Sequence, residues 1–343
     1  MPTPTLKLDP WAVSSLLHKA IRRGEVELAQ WAAVSLYQYR GQAIWRRLTN
    51  IAFEDIGIAD PDLVLEITRI ATDKQLRAVL GADLDLIADL TRKMAEAPKD
   101  RSTDYLICAT LKLDHGRAQQ AELAPKPIPE LIEIAADTEQ PLIRRAAASL
   151  VACTMDDKVI VGRPLDRVFA ALQANDPDPL CDAVRLAATK GLGAYILMAP
   201  LLWSAYRKGQ PRHPVPQSVP TPEWFHGMPL YIYDKHTAAG KKAITRLAQE
   251  CSDVRAVLVD HVPPIARIKA ALMGAFYADA VPISLRFDWR QSRDLEDLGF
   301  EADMHGAGCA AKGMRPVLVA VRDNMAALNA RRRDAVLSRL GMS

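Results

Sequence analysis

At 343 residues, 49% of them hydrophobic and 25% charged, the chain is long enough to bury a large core and suggests about two domains. A net charge of +3 excludes a strong global field drawing it to nucleic acid or membrane, and no apolar run approaches the ~18–20 residues that a membrane span needs. The opening MPTPTLKLDPW has no signal-peptide core, and the cysteines (Cys108, Cys153, Cys181, Cys251 and Cys309) share no metal-ligand spacing. They read as small buried hydrophobes in a reducing compartment, which places the protein in the cytoplasm with no metal and no cofactor.

Asp9-Pro10 is a helix start: an acceptor at the N-cap, then a proline where a missing N–H costs nothing. Val13, Leu16, Leu17, Ala20 and Ile21 follow on one face, and Arg22-Arg23-Gly24 is a helix stop. Leu28, Trp31, Ala32, Leu36 and Tyr39 carry a second apolar stripe to Gly41. A third helix runs from Ile44-Trp45 to Ala52, the chain breaks at Gly57, and Asp60-Pro61 starts a fourth.

Beyond this block of residues 10–115, residues 116–206 are alanine-rich helices with an internal echo. Gln140-Pro141-Leu142-Ile143 through Ala152 matches Asp178-Pro179-Leu180-Cys181 through Ala188 at an offset of 38 residues. The helices ahead of each, Glu130–Ala136 and Arg167–Ala174, match at nearly the same offset. That is the pattern of two stacked, HEAT-like helical hairpins, or of coincidence among Ala/Leu-rich helices. Residues 207–229 are proline-rich and read as a linker or a wrapping loop. Residues 230–343 are again mostly helical, over Ala238–Cys251, Ile265–Asp279 and Val317–Leu340, with Ala256–Val259 and Ile283–Phe287 as strands or helix ends. No period-2 alternation runs long enough for a sheet, so the expected fold is an all-α bundle of short helices.

Ser15-Leu16-Leu17-His18-Lys19-Ala20-Ile21-Arg22, Ala29, Trp31, Arg46-Arg47-Leu48, Ile51-Ala52 and Glu54-Asp55-Ile56-Gly57-Ile58-Ala59-Asp60-Pro61 follow in that order. This run resembles the helical region C-terminal to the ATPase core in the replication-associated recombination ATPases, AAA+ relatives of the clamp loaders. Ala97-Pro98-Lys99 and Leu106-Ile107-Cys108-Ala109 are similar to that family's next helix pair, and Met228-Pro229-Leu230 is a weaker echo. The resemblance implies a collar-like domain that self-assembles, as a tetramer in the related family. It does not extend to the motor. No G-x-x-x-x-G-K-[ST] loop occurs, and Gly240-Lys241-Lys242 lacks both the earlier glycine and the following Ser or Thr, so no ATP hydrolysis is expected.

Four groups of residues are candidate sites. Asp234, Lys235 and His236, with Tyr233, Thr237 and the earlier His226, supply a base, an orienting carboxylate and a helix start, yet Asp234 or Thr237 also reads as the cap of the next helix. Asp303, His305, Gly306, Gly308, Cys309 and Lys312 invite a Cys/His nucleophile or a glycine-rich turn. Glu54 and Asp55 are expected to pair with Arg46 or Arg47 while Asp60 caps a helix, rather than to bind a metal. The basic residues Arg22, Arg23, Arg46, Arg47, Arg144, Arg145, Arg331, Arg332 and Arg333 form a phosphate-binding face if the fold gathers them, and otherwise complement helix ends. Trp31, Tyr37, Tyr39 and Trp45 sit near the first two of these clusters as candidates to stack on exposed bases; Trp31 belongs to the buried stripe of its helix, whereas Tyr37 lies off that stripe and stays open.

The leading expectation is a non-enzymatic, homo-oligomeric scaffold or accessory factor in DNA replication or repair, partnered by DNA, a single-strand-binding protein or an AAA+ ATPase. The alternatives are an enzyme or nucleic-acid-processing factor using His236, Asp234 and Lys235, and a DNA-binding module with steep salt dependence.

Overall fold

Asp9 Oδ1 accepts hydrogen bonds from the backbone N–H groups of Trp11 and Ala12, both at 2.9 Å, and so caps helix α1 (Pro10–Arg23). Val13, Leu16, Leu17, Ala20 and Ile21 are fully buried, and Gly24 ends the helix in the left-handed conformation (φ 69°). The computed structural model describes residues 8–156, 158–173, 178–206 and 213–341. Among them are nineteen α-helices and three minor two-stranded ladders, an all-α architecture. None of these helices is long and apolar enough to cross a membrane.

After α1 come α2 (Val26–Arg40), α3 (Ala43–Ile51), α4 (Pro61–Thr72), α5 (Lys74–Leu80), α6 (Asp83–Glu96) and α7 (Ser102–Lys112). Next are α8 (Asp114–Leu123), α9 (Ile128–Ala136), α10 (Leu142–Cys153), α11 (Arg163–Leu172), α12 (Pro179–Ala188) and α13 (Met198–Tyr206). The last six are α14 (Ala238–Glu250), α15 (Ser252–His261), α16 (Arg267–Asp279), α17 (Ser292–Gly306), α18 (Ala311–Asp323) and α19 (Met325–Arg339). The ladders pair β1 (Thr154–Met155) with β2 (Lys158–Val159), β3 (His213–Pro216) with β6 (Leu285–Asp288), and β4 (Trp224–Phe225) with β5 (Met228–Pro229).

Two compact units are each assembled from separated stretches of chain. The first gathers Met1–Gly41, Pro216–Ser284 and Asp303–Ser343; the second gathers Gln42–Val215 and Leu285–Ala302. In the first unit α1 packs on α2, α14 on α19, and α15 and α16 on α18. Ser284 N donates to Arg22 O at 3.0 Å, tying the end of α1 to the stretch after α16. The helix expected over Val317–Leu340 is two: α18 begins earlier, at Ala311, and ends at Asp323, and its cap Asn324 donates from its side-chain Nδ2 to Ala320 O at 2.9 Å.

In the second unit α12 lies along α4, while α9 pairs with α10 and α11 lies against α9. Residues 174–177, between α11 and α12, and residues 207–212 of the proline-rich segment are outside the described residues. Ala256–Val259 belongs to α15, and Ile283–Phe287 supplies most of β6. Beside β6, Lys99 N donates to Leu285 O at 2.8 Å and Phe287 N donates to Lys99 O at 2.9 Å. Tyr206 packs edge-on against Phe287 and Trp289, with centroids 5.2 and 6.2 Å away.

Candidate functional site

Thr237 caps α14, its Oγ1 accepting from Gly240 N at 3.1 Å, and Gly240-Lys241-Lys242 is the first turn of that helix rather than a phosphate loop. Gly240 is required there by a close approach, since a Cβ would lie 2.1 Å from Asp234 O. Just ahead of the cap, Asp234 is buried and accepts from Lys19 Nζ at 2.9 Å, while His236 Nδ1 lies 2.9 Å from its Oδ2 and His236 N donates to its Oδ1 at 2.9 Å. Burial alone would raise the Asp234 carboxyl, but the charges of Lys19 and His236 and their hydrogen bonds outweigh it and hold the group well below the usual carboxylate range. Burial lowers the Lys19 ammonium against the opposing pull of Asp234.

A carboxylate orienting a histidine is half of a catalytic arrangement. Here, however, the carboxylate's main partner is a buried lysine of α1, and the His236 side chain is 61% exposed. Lys235 turns elsewhere, its Nζ 4.1 Å from the Phe276 ring centroid and 2.9 Å from Met273 Sδ. The cluster ties α1 to the start of α14. Further along, Asp303 accepts from Tyr277 Oη at 3.0 Å, and burial raises the Cys309 thiol, the opposite of what a nucleophile needs. Among the described residues no three His, Cys, Asp or Glu side chains are gathered as metal ligands would be.

The acidic elbow is a joint. Ala52–Ile56 continues α3 as a π-helical turn, Gly57 reverses the chain at φ 52° and ψ −129°, and Asp60 Oδ1 caps α4 by accepting from Leu63 N at 3.1 Å. Asp55 is fully buried with its Oδ1 3.2 Å from Arg101 Nε, and Asp55 O accepts from Asp100 N at 3.0 Å. Asp55 thus finds an arginine 46 residues downstream in the second of the two resembling segments, a pairing that no local spacing signals. Asp100 is itself buried, accepting from Ser102 N at 2.9 Å, Ser102 Oγ at 3.1 Å and Trp289 Nε1 at 2.9 Å; burial pushes its carboxyl up to about 6. Lys99, with Nζ donating to Ala95 O at 3.0 Å and to Ala97 O, is lowered to about 8 by burial.

The basic residues divide. Arg22, Arg23 and Arg332 are buried in the first unit. Arg22 donates to Ala280 O at 3.2 Å, Arg23 pairs with Glu25 and stacks over Tyr231, and Arg332 donates to Tyr233 O and to both oxygens of Asp279. Arg331 pairs with Glu250 at 3.3 Å and Arg333 with Glu223. In the second unit Arg145 is buried, donating to Ala135 O and Ser204 Oγ, and Arg144 pairs with Glu122 at 2.9 Å. Arg47 is half-buried. Arg46 is exposed and lines a cleft of about 260 Å³ with Trp45, Lys74, Arg77 and Lys190, a grouping that the separate sequence clusters did not signal. Trp31 and Tyr37 are half-buried and Tyr39 is exposed.

No family model, no curated protein and no solved structure matches the chain.

Proposed function

We propose that the chain is a non-enzymatic, self-associating scaffold of the cytoplasm that serves DNA replication or repair, built like the collar of a clamp-loader-related AAA+ ATPase without its motor. The observation that carries this reading is the joint between the two resembling segments. Asp55, Lys99, Asp100 and Arg101, the polar residues at its centre, are all buried and engaged with one another, with backbone or with Trp289. Residues spent in this way hold helices together and do no chemistry. Self-association draws support from apolar side chains left exposed close together in the chain, Val79 at 84%, Leu80 at 50% and Leu84 at 42%.

Size-exclusion chromatography with light scattering tests it. A tetramer or another closed oligomer is expected at micromolar concentration, and a strictly monomeric chain refutes the self-association. Pull-down from the native host is expected to bring down an AAA+ ATPase or a single-strand-binding protein.

A further inference from the structure

The cleft of the second unit holds cations and no carboxylate among its lining residues. Two of the four cations are already used. Arg77 donates to Ile70 O at 2.8 Å and Ala71 O at 3.0 Å, closing the C-terminal end of α4, and stands 3.5 Å from Asp83. Arg46 donates to Gly191 O at 3.1 Å just beyond α12. Arg77 thereby offsets the negative end of α4, which would otherwise repel an anion.

The other two are not used. Lys74 and Lys190 are exposed, and neither has a hydrogen-bond or ion-pair partner among the described residues. Two flexible ammonium groups beside one recess are point charges for a ligand to gather. A second, independent observation lies in the wall. Trp45 is 3% exposed, yet its indole Nε1–H is buried without any acceptor. A buried donor left unpaired is unfavourable, and Trp45 is itself one of the residues that line the cleft. The opening turn of α3 adds to this. Its N-cap Gln42 makes no side-chain capping bond, Gln42 and Trp45 both line the cleft, and the positive end of a helix favours an anion.

We infer that this cleft binds a phosphoryl group, carried by a single nucleic-acid strand. Its volume of about 260 Å³ falls below the ~300–1,000 Å³ of pockets that enclose whole drug-sized ligands, so it suits one phosphate with its sugar better than an entire cofactor. Lys74 and Lys190 supply the charge, and the Trp45 indole supplies a directed hydrogen bond. The site itself stands on the cleft alone; the strand as the phosphate's carrier rests on the reading of the chain as a DNA-associated scaffold.

The test is fluorescence anisotropy of a labelled single-stranded oligonucleotide with the full chain, alongside calorimetric titration with inorganic phosphate. The variants are the double substitution Lys74→Ala/Lys190→Ala and the separate Trp45→Phe, each checked for fold by circular dichroism. The lysine variant is expected to lose at least tenfold in oligonucleotide affinity and to show a salt slope shallower by about 1.4, two contacts at ~0.7 each for single strands. Trp45→Phe is expected to weaken binding several-fold with the salt slope unchanged, because it removes a donor and no charge. Should the lysine variant still bind the strand like the parent chain but lose inorganic phosphate, the strand is overturned as carrier and a small phosphate is the ligand. Should neither ligand bind the parent chain, or neither respond to any of these substitutions, the site is overturned, while the scaffold reading is decided separately by light scattering.

Discussion

Gly41 and Gly57 form a matched pair of perturbations. Their backbones adopt almost the same conformation, φ 54° with ψ −133° and φ 52° with ψ −129°, which L-residues rarely adopt. Their surroundings differ. A Cβ on Gly41 meets nothing within 4 Å, whereas one on Gly57 would sit 3.0 Å from Asp100 O and 3.4 Å from Thr103 Oγ1. Asp100 cannot easily retreat, because its N–H is bonded to Asp55 O at 3.0 Å and its side chain to Ser102 and Trp289. Both Gly→Ala changes share a backbone strain of about 1–3 kcal/mol. Gly57→Ala adds overpacking of about 1–3 kcal/mol, typical where well-packed atoms must shift. Urea denaturation followed by far-UV circular dichroism and tryptophan fluorescence measures both, each variant read against the transition of its own unit. If Gly57→Ala costs no more than Gly41→Ala, the elbow is not docked on Asp100 and the proposed joint fails.

Other outcomes follow from the same geometry. Lys19→Met leaves Asp234 buried and short of its main counter-charge, which is expected to destabilise by about 3–5 kcal/mol; adding Asp234→Asn should restore part of this in the same denaturation series. Asp100 is raised from 3.8 to about 6, so between these values the folded chain keeps a proton that the unfolded chain has released. Stability contributed by this group therefore falls as pH rises through that window, by up to about 3 kcal/mol at 1.36 kcal/mol per unit. Subtracting the pH profile of Asp100→Asn from that of the parent should expose this slope, and parallel profiles refute it. Arg332→Met strands Asp279 and Tyr233 O inside the first unit, with an expected loss of about 3–5 kcal/mol by thermal or urea melting.

The helix starts and stops were legible because their causes are local. Asp9-Pro10, Gly24, Gly57 and Asp60 each act within one turn of the chain, and the structure places each where the sequence reading puts it. The all-α class follows from the same periodicity. The partners of buried charges were not legible. Lys19 meets Asp234 from 215 residues away and Arg332 meets Asp279 from 53, distances over which no pattern of spacing survives. Asp55 lies against Arg101, 46 residues downstream, a partner that its closeness in the chain to Arg46 and Arg47 does not signal. That Trp45 is buried, and that its N–H has no acceptor, are properties of the fold alone.

The division of labour between arginine and lysine follows from their chemistry. A guanidinium is weakly hydrated and presents a rigid fork of donors, so it can be buried against carbonyls and carboxylates, as Arg22, Arg145 and Arg332 are. An ammonium on a flexible stem is more strongly hydrated and is costlier to bury; Lys74 and Lys190 stay outside, whereas Lys19 and Lys99 are buried with Asp234 and with the Ala95 and Ala97 carbonyls as partners. Arg22, Arg23, Arg145 and Arg332 of the arginine clusters are thus buried, while Lys74 and Lys190 are left exposed for a phosphate. A contrast of two double variants puts this to the test. Replacing Arg331 and Arg333, which are paired with Glu250 and Glu223, should change oligonucleotide affinity less than twofold, against the tenfold or greater loss expected for Lys74 and Lys190. An equal loss from both would mean that the arginine pairs open to meet the strand and that the cleft has no special role.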